Sequence, residues 1–193
     1  MEGKTSSMKQ YKKKQLVEGI YCSMLITRRV TVHINTIGSN IKQVLEKKIA
    51  NEIEGKCIVE GYIKPNSIKI VTYSCGIVKG SYVDFEIVLE CLSCSPVEGM
   101  HIYCIAKNIT KAGIRAEIDE SPSPVVIFIA RDHHYTSEYF STVAEGDKIK
   151  IRVIGQRFEL NDKYISIIAE LLEPKDIKQK IKKKQKLIIK NSA

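Results

Sequence analysis

Residues 112–118 (AGIRAEI) and 124–130 (PVVIFIA) decide the fold. Ile114, Ala116 and Ile118 alternate with Arg115 and Glu117, and Val125, Ile127 and Ile129 alternate with Val126, Phe128 and Ala130. A period of two is that of a strand with one buried face, so the isoleucine rows point inward and Arg115 and Phe128 point out. Outward from these two, 100–107, 147–154 and 163–171 also read as strands. In 147–154 the row Ile149, Ile151 and Val153 faces a core, while Lys148, Lys150 and Arg152 form a basic row outside.

The second half therefore holds five strands and one short helical insert around 132–140. Short strands leave edges open to other chains unless the sheet closes on itself. An OB-type barrel has five strands with a helical segment between the third and fourth, where this insert falls, and such barrels bind single strands on their second and third strands.

The first half reads differently. Val30, Val32 and Ile34 alternate with Thr31 and His33 as a strand. A helix follows, with Ile41, Val44, Leu45, Ile49 and Ile53 at helical spacing, Ser39 as N-cap and Gly55 where a left-handed stop is expected. Strands are predicted at 56–63 and 67–73, joined by the turn Lys64-Pro65-Asn66, and at 82–92, with Val83, Phe85, Ile87 and Leu89 on one face. The economical packing is a helix on a small antiparallel sheet. The expected fold class is an α+β N-terminal domain followed by an all-β five-stranded OB barrel. Ser93-Cys94-Ser95-Pro96-Val97-Glu98-Gly99 breaks the alternation and sets the boundary: 18–95 and 96–174, with basic disordered arms at 1–17 and 175–193.

Those arms hold the charge. The net charge is +9, of which 1–17 (five Lys, one Glu) carry +4 and 175–193 (eight Lys, one Asp) carry +7, leaving −2 on 18–174. A nucleic-acid function of the body must rest on local arrangement. No apolar run approaches the length of a membrane span, and the Lys-rich first seventeen positions predict no leader, so a soluble, intracellular protein with free thiols at its six cysteines is expected.

No fingerprint of a nucleotide loop, zincin or nucleophile elbow occurs, so no catalytic residue and no cofactor is expected. Cys91-x2-Cys94-x6-His101-x2-Cys104 has ligand types suited to zinc, yet His101 and Cys104 lie three apart on one strand and face opposite ways, so a metal is not expected. His133-His134 reads as a solvated helix start after Asp132. Asp84, Glu86 and Glu90 share the solvent face of a strand.

Asn108-Ile109-Thr110-Lys111-Ala112-Gly113-Ile114, Val126-Ile127-Phe128-Ile129-Ala130 and Glu145-Gly146-Asp147-Lys148-Ile149 resemble the ribosomal S-one type of RNA-binding OB domain. Arg115 departs from it, since many members place an aromatic there; a guanidinium also stacks on a base. In the first half, Thr31-Val32-His33-Ile34, the helix from Ile41 to Ile53, Glu54-Gly55-Lys56-Cys57 and Gly61-Tyr62-Ile63 resemble the tip domain of the stalk subunit of DNA-directed RNA polymerases, which is the seventh subunit of eukaryotic polymerase II and has a counterpart in archaeal polymerase. The resemblance covers about 20–172. The loop at Lys64-Pro65-Asn66 is shorter than is usual, and Pro96-Val97-Glu98-Gly99 replaces the family's Pro-Phe-x-Gly-Glu hinge.

The resemblance implies a non-catalytic subunit that docks on the core polymerase near the clamp and meets nascent single-stranded RNA. It places Gly55, Gly61, Tyr62 and Ile63 in the tip that meets the core, and implies a fourth-subunit-like partner, which viral enzymes can lack. RNA contact is expected at Arg115, Phe128, Lys148, Lys150 and Arg152, on one outer barrel surface. Lys/Ile richness and the basic arms suggest a polymerase of a large DNA virus, acting in virion and host cytoplasm; a cellular one would act in the nucleus. A free-standing OB-fold RNA-binding protein of translation or RNA decay and a zinc module remain the alternatives.

Overall fold

A computed structural model describes residues 19–173; the arms expected at 1–17 and 175–193 lie outside the described residues. In chain order the elements are β1 (Tyr21–His33), α1 (Ile41–Ile53), β2 (Cys57–Ile58), β3 (Gly61–Ile63), β4 (Lys69–Tyr73), β5 (Ile77–Lys79), β6 (Tyr82–Cys94), β7 (His101–Ile109), β8 (Gly113–Glu117), β9 (Val125–Ala130), α2 (Glu138–Thr142), β10 (Lys148–Arg157) and β11 (Ile165–Leu171). Short 3-10 turns cover Ile34–Thr36 and Arg131–His134.

The first sheet is built on one ribbon. β1 and β6 pair antiparallel from Tyr21 opposite Cys94 to His33 opposite Tyr82. At about 3.3 Å per residue it runs about 40 Å. The other edge of β6 is shared by β3, β4 and β5, and β2 adds outside β3. Leu45, Ile49 and Ile53 of α1 pack into one apolar cluster with Val30, Val32, Val83, Phe85, Ile87 and Leu89. The helix thus lies on the sheet through the stripe its spacing predicts.

Several expectations are corrected. β1 begins at Tyr21, well before Val30, and Ile34 belongs to the following turn. Asn40, not Ser39, is the N-cap; it makes no side-chain cap, and its carbonyl accepts from the Val44 N–H at 3.2 Å. Residues 56–63 form two strands, because Val59 and Glu60 turn the chain. β5 was not anticipated.

β7 to β11 close a barrel with neighbours in the order β7-β8-β9-β11-β10 and back to β7. β9 and β11 run parallel and the other neighbours antiparallel. All five expected strands are present, and the second 3-10 turn and α2 fall between the third and fourth, as in an OB barrel. Ile114, Ala116, Ile127, Ile129, Ile149 and Ile151 fill the interior.

Four residues of the first half, Tyr21, Cys57, Tyr62 and Cys94, belong to the barrel's apolar cluster. Beside them the Cys57 N–H donates to the Asp162 carbonyl and the Asn161 N–H to the Cys57 carbonyl, each at 2.8 Å. Gly61 makes the close approach possible. Its φ is +116°, and a Cβ there would sit 2.4 Å from the Cys94 carbonyl oxygen, so only glycine fits.

Candidate functional site

β8 and β9 lie side by side because Gly113 lacks a side chain: a Cβ would fall 2.2 Å from the Ile129 carbonyl oxygen. This register sets Arg115 directly opposite Phe128 on the outer face. Phe128 is 40% exposed, and Ile168 of β11 stands on its other side, also exposed. The Arg115 guanidinium donates to Glu117 at 2.9 Å, which offsets its charge. An aromatic with an adjacent guanidinium can hold an unpaired base.

The basic row of β10 is where alternation puts it, with Ile149, Ile151 and Val153 buried behind. It does not adjoin the Arg115–Phe128 pair. β11 lies between β9 and β10, and β7 lies between β8 and β10, so the five residues form two groups on different sides of the barrel. A closed sheet imposes this separation, which alternation along single strands does not encode. Within the row, Lys148 approaches Asp119 at 3.6 Å and Arg152 pairs with Glu170. Lys150 instead sits opposite Tyr103 of β7, its Nζ 5.3 Å from the ring centroid. Tyr103 is 70% exposed and is not among the expected contact residues; its mark in the sequence is an aromatic at an outward position of the first barrel strand.

Among the residues assigned to core docking, Gly55 adopts the left-handed conformation expected of it (φ +69°) and its N–H donates to the Ile63 carbonyl at 2.9 Å. Tyr62 and Ile63 are fully buried. Their side chains are therefore unavailable as contacts, Tyr62 packing into the barrel's cluster and Ile63 into the sheet's, while their backbone pairs β3 with Cys94 and Ser93 of β6. Exposed apolar side chains gather at the opposite end of the ribbon. Ile34 and Ile37 follow β1, and Ile77, Val78 and Tyr82 flank the β5–β6 turn, where the Ile34 N–H donates to Ser81 at 2.9 Å.

The cysteines have separate places. Cys91 lies in the sheet's cluster and Cys94 and Cys104 in the barrel's, while His101 faces outward. Among the described residues no group of His, Cys, Asp and Glu converges as metal ligands would. Burial pushes the Cys94 and Cys104 thiols up to about 12, and those of Cys57 and Cys91 to about 11, so these are neutral core groups.

His134 corrects an expectation. It is buried, not solvated: Nδ1 contacts the Ala130 carbonyl at 2.9 Å, and the Leu171 N–H donates to Nε2 at 2.8 Å. Nε2 must then carry the lone pair and Nδ1 the proton. The ring stacks on Phe140 and ties α2 to the end of β11. His133 is exposed as expected. Asp84 accepts from Thr31 at 2.6 Å and pairs with Lys79 at 2.8 Å; these bonds hold its carboxyl below the usual range. Such a tied carboxylate is a strand-pairing device. A cavity of about 280 Å³ beside α1 is lined by Arg28, Arg29, Glu52, Val59, Leu160 and Asn161, with Arg28 bonded to Glu60 at 2.9 Å.

No protein-family model matches the chain. It is similar to a protein of Acanthamoeba polyphaga mimivirus named provisionally as a DNA-directed RNA polymerase subunit, 24% identical over 173 residues that cover 81% of this chain and 84% of that protein. It is also similar to DNA-directed RNA polymerase II subunit 7 of Arabidopsis thaliana, 20% identical over 156 residues, covering 72% of this chain and 86% of the plant protein.

Proposed function

We infer that this chain, a divergent relative of RNA polymerase subunit 7, serves as the non-catalytic stalk subunit of a DNA-directed RNA polymerase. The observation that carries this is coverage. The mimivirus match runs over 81% of the chain, more than the sheet or the barrel alone can supply, so the likeness belongs to their combination and not to an RNA-binding barrel found in many settings.

In this reading residues 18–95 are the tip that docks on the polymerase core near the clamp. Gly55, Gly61, Tyr62 and Ile63 shape the tip from within, and the apolar end of the ribbon, with Ile77, Val78 and Tyr82, supplies the surface the core covers. Residues 96–174 are the OB barrel, which meets nascent RNA through Arg115 and Phe128 on one side and the β10 row on another. A fourth-subunit-like partner binds alongside where the enzyme has one. The mimivirus relative supports a polymerase encoded by a large DNA virus.

The chemistry asked of such a subunit is binding alone. Among the described residues no helix is long and apolar enough to cross a membrane. Affinity capture of the tagged chain from its native source at moderate salt tests the reading. Two very large polymerase subunits should co-purify in amounts comparable to the bait. Recovery of ribosomal or decay factors alone would overturn it in favour of a free-standing RNA-binding protein.

A further inference from the structure

Resting on the reading of the barrel as an RNA-binding module, we propose that it grips single-stranded RNA on a second surface, the outer face of β7 and β10, with Tyr103 stacking an unpaired base and Lys150 holding phosphate. Arg115 lies on β8, the other neighbour of β7, but its register partner there is Asn108, five residues along β7 from Tyr103, and Phe128 lies one strand further round. The two surfaces therefore engage different nucleotides of one strand.

Two observations converge on it. Tyr103 stands out from its strand with Lys150 directly opposite in register, and a cation within about 6 Å of an aromatic face is attracted to it. Lys150 has no carboxylate partner among the described residues, whereas Lys148 has Asp119, Arg152 has Glu170 and Arg115 has Glu117. Its charge is thus the one in the row left for a phosphate.

An acidic peptide would use the lysine but has no need of an exposed ring, and a duplex has no unstacked base to offer it. A single strand uses both. Stacking and phosphate contact accept any base, so this grip carries no sequence preference.

The test is fluorescence anisotropy of the full chain with a labelled oligouridine of about 20 nucleotides and with a duplex DNA of the same length, over a salt series. Tyr103→Ala should weaken oligouridine binding about tenfold at fixed salt with little change in the salt slope, and Tyr103→Phe, which keeps the ring, should bind like the parent. Lys150→Gln should lower the log–log salt slope by about 0.7. Duplex binding should not respond to Tyr103→Ala. If Phe128→Ala loses affinity while Tyr103→Ala and Lys150→Gln bind like the parent, the second surface is refuted and the RNA reading stands. A parent chain that does not bind oligouridine removes the RNA reading and this surface with it. Equal loss on duplex and single strand for Tyr103→Ala would also refute the stacking role.

Discussion

Cysteine at four interior positions makes stability depend on alkali. Cys57, Cys91, Cys94 and Cys104 are buried, and burial raises their thiols from an ordinary value near 9 to between about 11 and about 12. Below about pH 9 folded and unfolded chains both keep these protons, so the thiols contribute no pH dependence. Above it the unfolded chain loses them first, and stability falls as pH climbs toward the folded values. Urea midpoints should therefore drop between about pH 9 and about pH 11, and Cys104→Ala should flatten that drop while costing about 1 kcal/mol at neutral pH. An unchanged pH slope in the variant would mean that Cys104 is solvated. In the folded chain only Cys22 and Cys75 should react quickly with a thiol reagent at neutral pH, since they alone are exposed.

At the scale of elements, His134 shows how a turn is made part of a barrel. Without it the Leu171 N–H, at the end of β11, loses its acceptor inside the protein, and Phe140 loses the ring it stacks on. His134→Ala should destabilise the chain by about 2–3 kcal/mol in denaturant unfolding, and His133→Ala, next to it but exposed, by less than about 0.5 kcal/mol. Equal effects would remove the clamp. The same element explains what was legible in the sequence. Ile114 and Ala116, Val125, Ile127 and Ile129, and Ile149, Ile151 and Val153 each mark one buried face against one exposed face, so period alone located the barrel strands. His134 had no such marker, because nothing in a His-His pair says that one ring meets a strand end thirty-seven residues on. β5 was hidden for a related reason: Ile77, Val78 and Lys79 are all exposed, and a three-residue strand with no buried side chain has no period to read. The early part of β1 is held by the β6 ladder more than by its own pattern, and the split of Arg115 and Phe128 from Lys148, Lys150 and Arg152 arises only when the sheet closes.

At the scale of the molecule the decisive feature is that four side chains of the first half, Tyr21, Cys57, Tyr62 and Cys94, pack into the barrel's apolar cluster and so join sheet to barrel. Tyr21, at the start of β1, is buried in the barrel's cluster, and its hydroxyl donates to Glu120 of the β8–β9 loop at 2.9 Å. Lys64, from the turn after β3, lies 3.5 Å from the same carboxylate and over the Tyr21 ring. Burial and the Glu120 carboxylate together push the Tyr21 hydroxyl far above its ordinary value, so it remains a donor at any working pH. Because the ring carries the packing and the hydroxyl the alignment, two substitutions separate them. Tyr21→Phe should cost about 1 kcal/mol and leave one cooperative transition, since Glu120 keeps Lys64 and solvent. Tyr21→Ala should cost about 3–5 kcal/mol and uncouple the halves, so that tyrosine absorbance and far-UV circular dichroism no longer report coincident transitions. A parent chain that already unfolds in two separate steps would show that the junction is a hinge, so that the contacts of Tyr21 with Glu120 do not by themselves fix the distance between the apolar end of the ribbon and the barrel.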